Sequence, residues 1–220
     1  MISETPIEAL GHSWGDWTIT EPTVTENGNR IRTCSVCSKE ESITIYYSYQ
    51  IGDVGPAGGK IFYIDETNKF DWNYLECNTD PVGIGTYIFG FYRPNGTNNE
   101  VVGTDTAIGT GEANTKALVE KMGDTAYTNY TGKETTDSYA AKVAYDYEKN
   151  GYDDWFLPSK DELSEIYKNK AVVGLRNRYF LSSSEFSERL VWGHDFSNGD
   201  QDNDYGRDGT IYYICPIRAF

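Results

Sequence analysis

Polar and apolar residues alternate in short runs near the beginning of the chain. The runs are residues 17–20, 30–33 and 42–45. Alternation with a period of two is typical of half-buried strands, and Asn27-Gly28 between two runs favours a tight hairpin turn. The pattern predicts a small all-β unit over residues 1–46 and a second unit over residues 47–220.

The second unit combines helical and strand-like patterns in separate blocks. Helices are predicted from Asn114 to Gly123, from Thr136 or Asp137 to Gly151, and from a capping box formed by Ser159 and Glu162. Strands are predicted at residues 60–65, 74–77, 179–183, 190–196 and 210–218. Segregated strands and helices indicate an α+β fold. The first strand of this unit is expected to pair with the last, residues 210–218.

Composition and charge narrow the classes of partner. The chain has 18 Tyr, 9 Phe and 5 Trp among 220 residues, which is typical of an aromatic-packed, β-rich protein. Its net charge of −15 disfavours nucleic acid as a partner. No run of apolar residues is long enough to span a bilayer, and the first residues do not resemble a signal peptide. We therefore expect no membrane insertion by this sequence, and no nucleic-acid binding.

The stretch WGHDFSNGDQDNDYGRDG, residues 192–209, is too long for an ordinary turn between strands. Tyr and His offer flat contact surfaces, and Asp and Asn offer adaptable hydrogen bonds, so this composition favours a binding surface. Aromatic residues and Arg usually supply most of the binding energy at such surfaces.

Two sets of residues raise the question of a metal. Asp200, Asp202 and Asp204 could offer carboxylates to calcium, but the Gly and Glu of a helix-loop-helix calcium site are missing. Solvated acidic side chains are the preferred interpretation. His12, Cys34 and Cys37 offer three zinc ligands where a structural site uses four. Structural zinc, a Cys34–Cys37 disulfide and free thiols all stay open, and no cofactor is predicted.

The N-terminal pattern resembles a short repeat of bacterial cell-surface proteins. The resemblance is carried by His12, Trp14, Trp17, Gly28, Arg32, Cys34, Cys37 and Glu41. Many copies of that repeat have a further Cys where this chain has Val24. The resemblance implies a stalk or spacer.

Residues 51–220 resemble the C-terminal domain of Lcl-type bacterial adhesins. The shared motifs are IGDVGPAGGKIFYID, YLE, IGTGEANT, YDDWFLPSKDEL, FLSSSEFS and the closing CPIRAF. The resemblance implies a C-type lectin-like fold with paired terminal strands, an extracellular or cell-surface location, and late loops that present a ligand face. A related fold occurs in formylglycine-generating enzymes, which use a cysteine pair. Cys77 and Cys215, however, lie in strand-like segments where structural cysteines are common, so no enzyme activity is predicted.

The C-terminal segment also resembles the variable proteins of diversity-generating retroelements, in which adenine-directed mutation alters this region. That resemblance implies that exchangeable positions form the ligand-binding surface, and it implies a cell-surface or phage-tip location. The predicted ligand-binding residues are Glu188, Arg189, Trp192, His194, Asp200, Asp202, Asp204, Tyr205, Arg207, Asp208 and Tyr212. The predicted function is non-enzymatic binding, with a protein as the ligand. The alternative is an invariant adhesin for host or environmental glycans, with Lys168, Lys170, Arg176 and Arg178 as its basic group.

Overall fold

A computed structural model describes residues 11–24, 26–80, 82, 86–90, 101–123, 127–128, 134–135, 139–209 and 211–220. The chain divides into two compact units on either side of the Ser48–Tyr49 bond. We describe each unit by itself. The fold is mixed, with small antiparallel sheets and few helices, and is compatible with the predicted α+β class.

The N-terminal unit is an antiparallel sheet with the strand order β1-β2-β3. The strands are β1 (Thr18–Thr20), β2 (Gly28–Thr33) and β3 (Glu40–Ile45). The prediction of a turn at Asn27-Gly28 is wrong, because Gly28 belongs to β2 and the chain turns where the Thr23 N–H donates to the Glu26 carbonyl (2.8 Å). A Cβ at Gly28 would lie 2.3 Å from the Thr20 carbonyl oxygen, so this position needs glycine for the close approach of β1.

Cation–π contacts between Arg32 and two tryptophan rings stabilise this small unit. The Arg32 guanidinium lies 4.8 Å from the Trp14 ring centroid and 4.5 Å from that of Trp17. The same side chain forms an ion pair with Glu41 on β3. Cation–π contacts of this kind partly replace the hydrophobic core that so short a unit cannot build.

The C-terminal unit contains the remaining elements. Its strands are β4 (Lys60–Ile64), β5 (Tyr74–Cys77), β6 (Tyr127–Thr128), β7 (Glu134–Thr135), β8 (Tyr179–Glu185), β9 (Leu190–Asp195), β10 (Gln201–Gly206) and β11 (Ile217–Ala219). Its helices are α1 (Gly111–Met122), α2 (Ala140–Tyr145), α3 (Lys160–Lys168) and α4 (Lys170–Val173). The described sheets have the orders β11-β5-β4, β10-β9-β8 and β6-β7.

The terminal strands of this unit share one sheet without pairing directly. β5 lies between β4 and β11, and Cys77 is opposite both Lys60 and Ile217. The predicted pairing of the first strand with the last is therefore wrong in detail. A central strand with two partners satisfies its backbone groups on both sides, and β5 is accordingly buried over Leu75–Cys77.

Helix boundaries agree with the sequence where a local signal sets them. The capping box is confirmed: Glu162 N–H donates to the Ser159 hydroxyl, and Ser159 N–H donates to the Glu162 carboxylate. The end of α1 at Gly123 is also confirmed. Its predicted start is wrong, because α1 begins at Gly111 and Asn114 lies within it. There the Asn114 side chain accepts the Asp105 N–H and donates to the Asp105 carbonyl.

The second helix is shorter than predicted, since α2 ends at Tyr145 instead of continuing to Gly151. Its proposed N-caps, Thr136 and Asp137, lie outside the described residues. The C-terminal strand, predicted over residues 210–218, is also shorter in the structure. Among residues 211–220, the strand covers only Ile217–Ala219.

Two apolar clusters form the core of the C-terminal unit. One joins α1 and α2 to Leu181, Val191 and Tyr205 of the late strands. The other joins β4, β5 and α3 around Phe62, Phe196 and neighbouring residues. The late strands therefore contribute side chains to both clusters, which limits how many of their positions can face a ligand.

Buried carboxylates fasten the loops of this unit. Glu76 on β5 is fully buried, accepts N–H groups from Ala57 (3.1 Å) and Gly59 (2.8 Å), and pairs with Arg218 on β11 (3.2 Å). The N–H groups of the GPAGGK loop thus bind an internal carboxylate. Glu162 on α3 likewise accepts the Gly109 N–H (2.8 Å). Several motifs that carry the resemblance meet at these carboxylates.

Candidate functional site

The stretch predicted to be a displayed loop contains a strand. β10 pairs with β9 in antiparallel fashion, with Gln201 opposite His194 and Tyr205 opposite Val191, and a bulge interrupts the register between Asp202 and Tyr205. Among the described strands, β10 has β9 as its only neighbour and forms the edge of this sheet. Acidic residues on an edge strand disfavour pairing with a further strand.

Four of the predicted ligand-binding side chains are buried. Arg207 is 0% exposed, His194 2%, Tyr205 6% and Tyr212 8%. The expectation that these residues are displayed is contradicted, and their side chains belong to the interior. The remaining predicted positions are exposed or half-buried: Glu188, Arg189, Trp192, Asp200, Asp202, Asp204 and Asp208.

Arg207 is held by a buried ion pair with Glu185 at the end of β8 (2.9 Å). Its Nε also donates to the Ser187 carbonyl (3.0 Å), and its guanidinium lies 5.3 Å from the Phe89 ring centroid. The Glu185 carboxylate in turn accepts the N–H groups of Val102 and Gly103. Arg207 therefore connects the end of β10, the β8–β9 turn and the segment around residue 102.

Tyr205 and Tyr212 pack against each other with ring centroids 5.1 Å apart. The Tyr205 ring covers Gly193 so closely that a Cβ there would lie 2.6 Å from it. Burial raises the pKa of both phenols. Through these two side chains, β10 and the segment after it pack against the core.

His194 packs between aromatic rings, 4.5 Å from Tyr167 and 5.2 Å from Phe196 by ring centroids. Its Nε2 lies 3.2 Å from the Gly199 carbonyl oxygen. Burial lowers the pKa of this imidazole, so the neutral ring is favoured at physiological pH. This arrangement supports the turn between β9 and β10.

An open cavity of about 380 Å³ lies beside β10, and we call it the acidic cavity. Its lining residues are Tyr179, Asp195, Asn198, Asp200, Asp202, Asp204, Tyr205, Ile211 and Tyr212. Tyr179 is 46% and Ile211 60% exposed, so apolar and aromatic surface lies beside the carboxylates. The structure therefore brings Asp200, Asp202 and Asp204 together at one cavity.

Four residues that line the acidic cavity are not among the predicted ligand-binding residues: Tyr179, Asp195, Asn198 and Ile211. Tyr179 and Ile211 stand at the starts of segments predicted as strands, where an exposed end cannot be told from a buried one. The carboxylates of the cavity also have local partners. The Asp195 carboxylate accepts the N–H and hydroxyl of Ser197, and that of Asp200 accepts the Asn198 amide.

Glu188, Arg189 and Trp192 do not line the acidic cavity. Glu188 and Arg189 are exposed in the β8–β9 turn, where they form an ion pair (3.5 Å). The Trp192 ring packs against Phe186, which is 50% exposed, and lies 4.9 Å from the Lys160 ammonium. Asp208 is half-buried in the turn after β10. The predicted residues thus divide between the cavity, a separate aromatic patch, the turns before β9 and after β10, and the core.

Two of the four basic residues proposed for glycan binding line one cavity. Arg176 and Arg178 share a cavity of about 180 Å³ with Phe180 and Tyr213, and the Arg178 guanidinium lies 5.2 Å from the Tyr213 ring centroid. Lys168 is paired with Glu165 (2.6 Å), and Lys170 donates to the Phe196 carbonyl.

A further cavity, of about 430 Å³, lies beside α1 and α2, and its lining residues include Glu112, Lys116, Tyr145 and Asp153. Lys116 is paired there with Glu112. None of the predicted ligand-binding residues lines this cavity, so it gives no support to the predicted site.

The N-terminal unit brings His12, Cys34 and Cys37 together. Their donor atoms all lie within 4.8 Å of one another, and Cys37 Sγ is 3.2 Å from His12 Nδ1. Hydrogen bonding from the Val36 N–H, with smaller contributions from Cys37 and His12, lowers the pKa of Cys34 to about 6. Within the described residues, this is the group of His, Cys and acidic side chains whose spacing suits a shared ion.

Cys77 and Cys215 lie together in the core of the C-terminal unit, where both are buried. The hydrogen bond with Cys77 and then burial raise the pKa of the Cys215 thiol. That thiol donates to the Asn78 carbonyl (3.2 Å). A reactive cysteine needs a stabilised thiolate, and this environment favours the thiol.

No protein-family model matches the chain, and a search of curated proteins finds no relative. Within the described residues, no helix has the length and hydrophobicity needed to cross a membrane.

Proposed function

We propose that the C-terminal unit is a C-type lectin-like, non-enzymatic binding domain of an extracellular or cell-surface protein. The acidic cavity is its ligand face, and a protein is its ligand. The observation that carries this proposal is the composition of the cavity, in which exposed Tyr179 and Ile211 stand beside the carboxylates of Asp202 and Asp204. Aromatic and apolar anchors beside adaptable polar groups are typical of protein-binding surfaces.

The arrangement of elements supports the fold assignment. The strands nearest the two ends of the unit share a sheet, helices lie between them in the chain, and the late strands form a second sheet. The motifs that resemble the Lcl-type adhesins supply Glu76, Glu162 and Arg218, which fasten the framework. In this arrangement the framework motifs are separate from the ligand face.

The charge of the acidic cavity favours a ligand with a basic surface. Several aspartates line the cavity, and the whole chain carries a net charge of −15, so the field attracts cations and repels anions. Complementary charge mainly accelerates association and selects the partner. We therefore propose a lysine- and arginine-bearing protein surface as the ligand.

Retroelement diversification is also proposed, now with a narrower set of positions. Asp200, Asp202 and Asp204 can vary without a cost in packing, because they are exposed. Arg207 and Tyr205 are packed in the interior, so substitution there would disturb the framework. A nearby reverse-transcriptase gene with a template repeat differing at adenines would test this hypothesis.

The alternative is glycan binding at the cavity of Arg176 and Arg178. A guanidinium over the Tyr213 ring beside a second Arg provides both a stacking surface and a cationic site, which suits an acidic saccharide. The overall negative charge of the chain opposes such a ligand. For that reason we favour the acidic cavity.

A random peptide library and a glycan array, both probed with the full chain, distinguish the two functions. We expect enrichment of peptides rich in Lys and Arg, with binding weakened about tenfold or more in a Tyr179→Ala/Asp202→Asn/Asp204→Asn variant. The control is Asp71→Asn/Glu120→Gln, which removes the same number of charges at exposed positions outside the cavity. Saccharide binding abolished by Arg176→Ala/Arg178→Ala, with no peptide enrichment, would overturn the proposal in favour of the alternative.

A further inference from the structure

The N-terminal unit contains a donor cluster that the proposed function does not use. His12 Nδ1, Cys34 Sγ and Cys37 Sγ lie within 4.8 Å of one another, although Cys37 and His12 are 25 positions apart in the chain. Thiolate and imidazole are the ligands that zinc prefers in proteins. A cluster of three such groups on a small sheet therefore has the chemistry of a metal site.

Backbone hydrogen bonds hold the two segments of the cluster in place. Ser35 N–H donates to the Ser13 carbonyl (2.8 Å), and Gly15 N–H donates to the Thr33 carbonyl (3.0 Å). These bonds flank the bridge between Trp14 and Cys34. The His12 segment is thus attached to the cysteine turn independently of any ion, and the ligands need little rearrangement to bind one.

The turn itself brings the two cysteines to the same side. Ser38 N–H donates to the Cys34 carbonyl (2.9 Å), and Ser38 has a φ of 56°. This left-handed residue closes the Cys-x-x-Cys segment tightly. His12 and Cys37 are exposed while Cys34 is buried, so an ion bound here would have one side toward the interior and one toward solvent.

We propose that His12, Cys34 and Cys37 bind one Zn²⁺ ion, with solvent in the fourth coordination position. Three protein ligands and one exchangeable ligand form a known zinc arrangement. Val24 is 51% exposed and offers no donor atom. Bound zinc would link the start of the unit to the β2–β3 turn and stabilise the unit by mass action. This inference is independent of the ligand assigned to the C-terminal unit.

The test uses the full chain, reduced and freed of metal, titrated with Zn²⁺ and with Co²⁺. We expect one ion per chain by elemental analysis, and thiolate-to-cobalt charge transfer with the strong visible absorption of tetrahedral Co²⁺. Cys37→Ser and His12→Ala should each weaken binding by more than about tenfold. Both positions are exposed, so these variants are expected to fold. Val36→Ala is the matched control, because it is 80% exposed in the same turn and supplies no ligand side chain.

Three results would overturn the proposal. The first is binding in Cys37→Ser and His12→Ala equal to that of the parent chain, since the ion would then be held by other residues. The second is the absence of stoichiometric binding while a thiol assay shows free Cys34 and Cys37. The third is a Cys34–Cys37 disulfide that persists under reducing conditions. Far-UV circular dichroism of each variant shows whether weaker Zn²⁺ binding results from the removed side chain or from unfolding.

Discussion

Arg207 is a residue type favoured at binding surfaces, yet its contacts make it part of the framework. It is fully buried and pairs with Glu185, which also accepts N–H groups from the segment around residue 102. Removing one member of a buried pair leaves the other charge without compensation. We expect Arg207→Ala to lower the free energy of unfolding by about 3–5 kcal/mol.

Urea unfolding followed by tryptophan fluorescence measures this change. Arg189→Ala provides the control, because Arg189 is exposed and its ion pair with Glu188 is exposed as well. Its effect should stay below about 1 kcal/mol. A similarly small effect for Arg207→Ala would contradict the structural role assigned to its pair with Glu185.

The sequence identified polar and aromatic residues near a possible ligand surface, but it did not show which of their side chains are exposed and which are buried. Asp200, Asp202 and Asp204 are exposed, because a carboxylate without a charged partner remains in water. Arg207, His194 and the two tyrosines carry polar groups that can be buried when a partner is near. Their burial depends on Glu185, Gly199 and Gly193, which tertiary structure brings close to them. No local pattern contains that information.

At the level of elements, the capping box of α3 shows both a correct prediction and its unpredicted environment. Ser159 and Glu162 cap the helix, but Glu162 is also 1% exposed and accepts the Gly109 N–H. Burial raises the pKa of Glu162 to about 7, although its N–H donors act in the opposite direction. A carboxyl that binds its proton more tightly in the folded chain contributes stability that is fully present below its unfolded pKa, about 4.5, and is lost as pH rises through about 7.

The titration of Glu162 should lower the free energy of unfolding by on the order of 3 kcal/mol between pH 5 and pH 8. We therefore expect Glu162→Gln to lose less stability over this pH range than the parent chain does. Urea unfolding at both pH values gives the slope of stability against pH for the variant and for the parent chain. Glu165→Gln, which removes a half-buried carboxylate from the same helix, serves as the control. Equal slopes in Glu162→Gln and the parent chain would contradict the assigned pKa.

Elements with strong local signals were predicted, and elements defined by distant partners were not. The end of α1 follows from Gly123, and α3 follows from its capping box. β10 was missed because an edge strand rich in Asp, Asn and Gly lacks the β-branched residues and the apolar alternation of a typical strand. The position of β5 between β4 and β11 depends on pairing between segments far apart in the chain, which alternation alone does not specify.

At the scale of the whole C-terminal unit, its first and last residues contact each other. The Tyr49 ring lies 5.2 Å from Tyr74 and 5.5 Å from Phe220 by ring centroids. The Phe220 carbonyl accepts the N–H groups of Asn73 (2.9 Å) and Tyr74 (3.0 Å). We expect Tyr49→Ala to reduce the stability of this unit by about 1–2 kcal/mol, because each aromatic pair contributes beyond its buried area.

Urea unfolding of the full chain, followed by far-UV circular dichroism, measures that loss. Tyr46→Ala is the matched control, since Tyr46 is 73% exposed and lies a few residues before the unit. If both variants unfold at the same urea concentration as the parent chain, the aromatic closure adds nothing to stability.

The contact between Tyr49 and Phe220 has a practical consequence for engineering. A unit whose polypeptide enters and leaves at one spot can replace a surface loop of an unrelated carrier protein without stretching either partner. The same geometry allows residues 49 and 220 to be joined by a short linker and the chain to be reopened elsewhere. The C-terminal unit is thus suited to insertion as a domain into another protein.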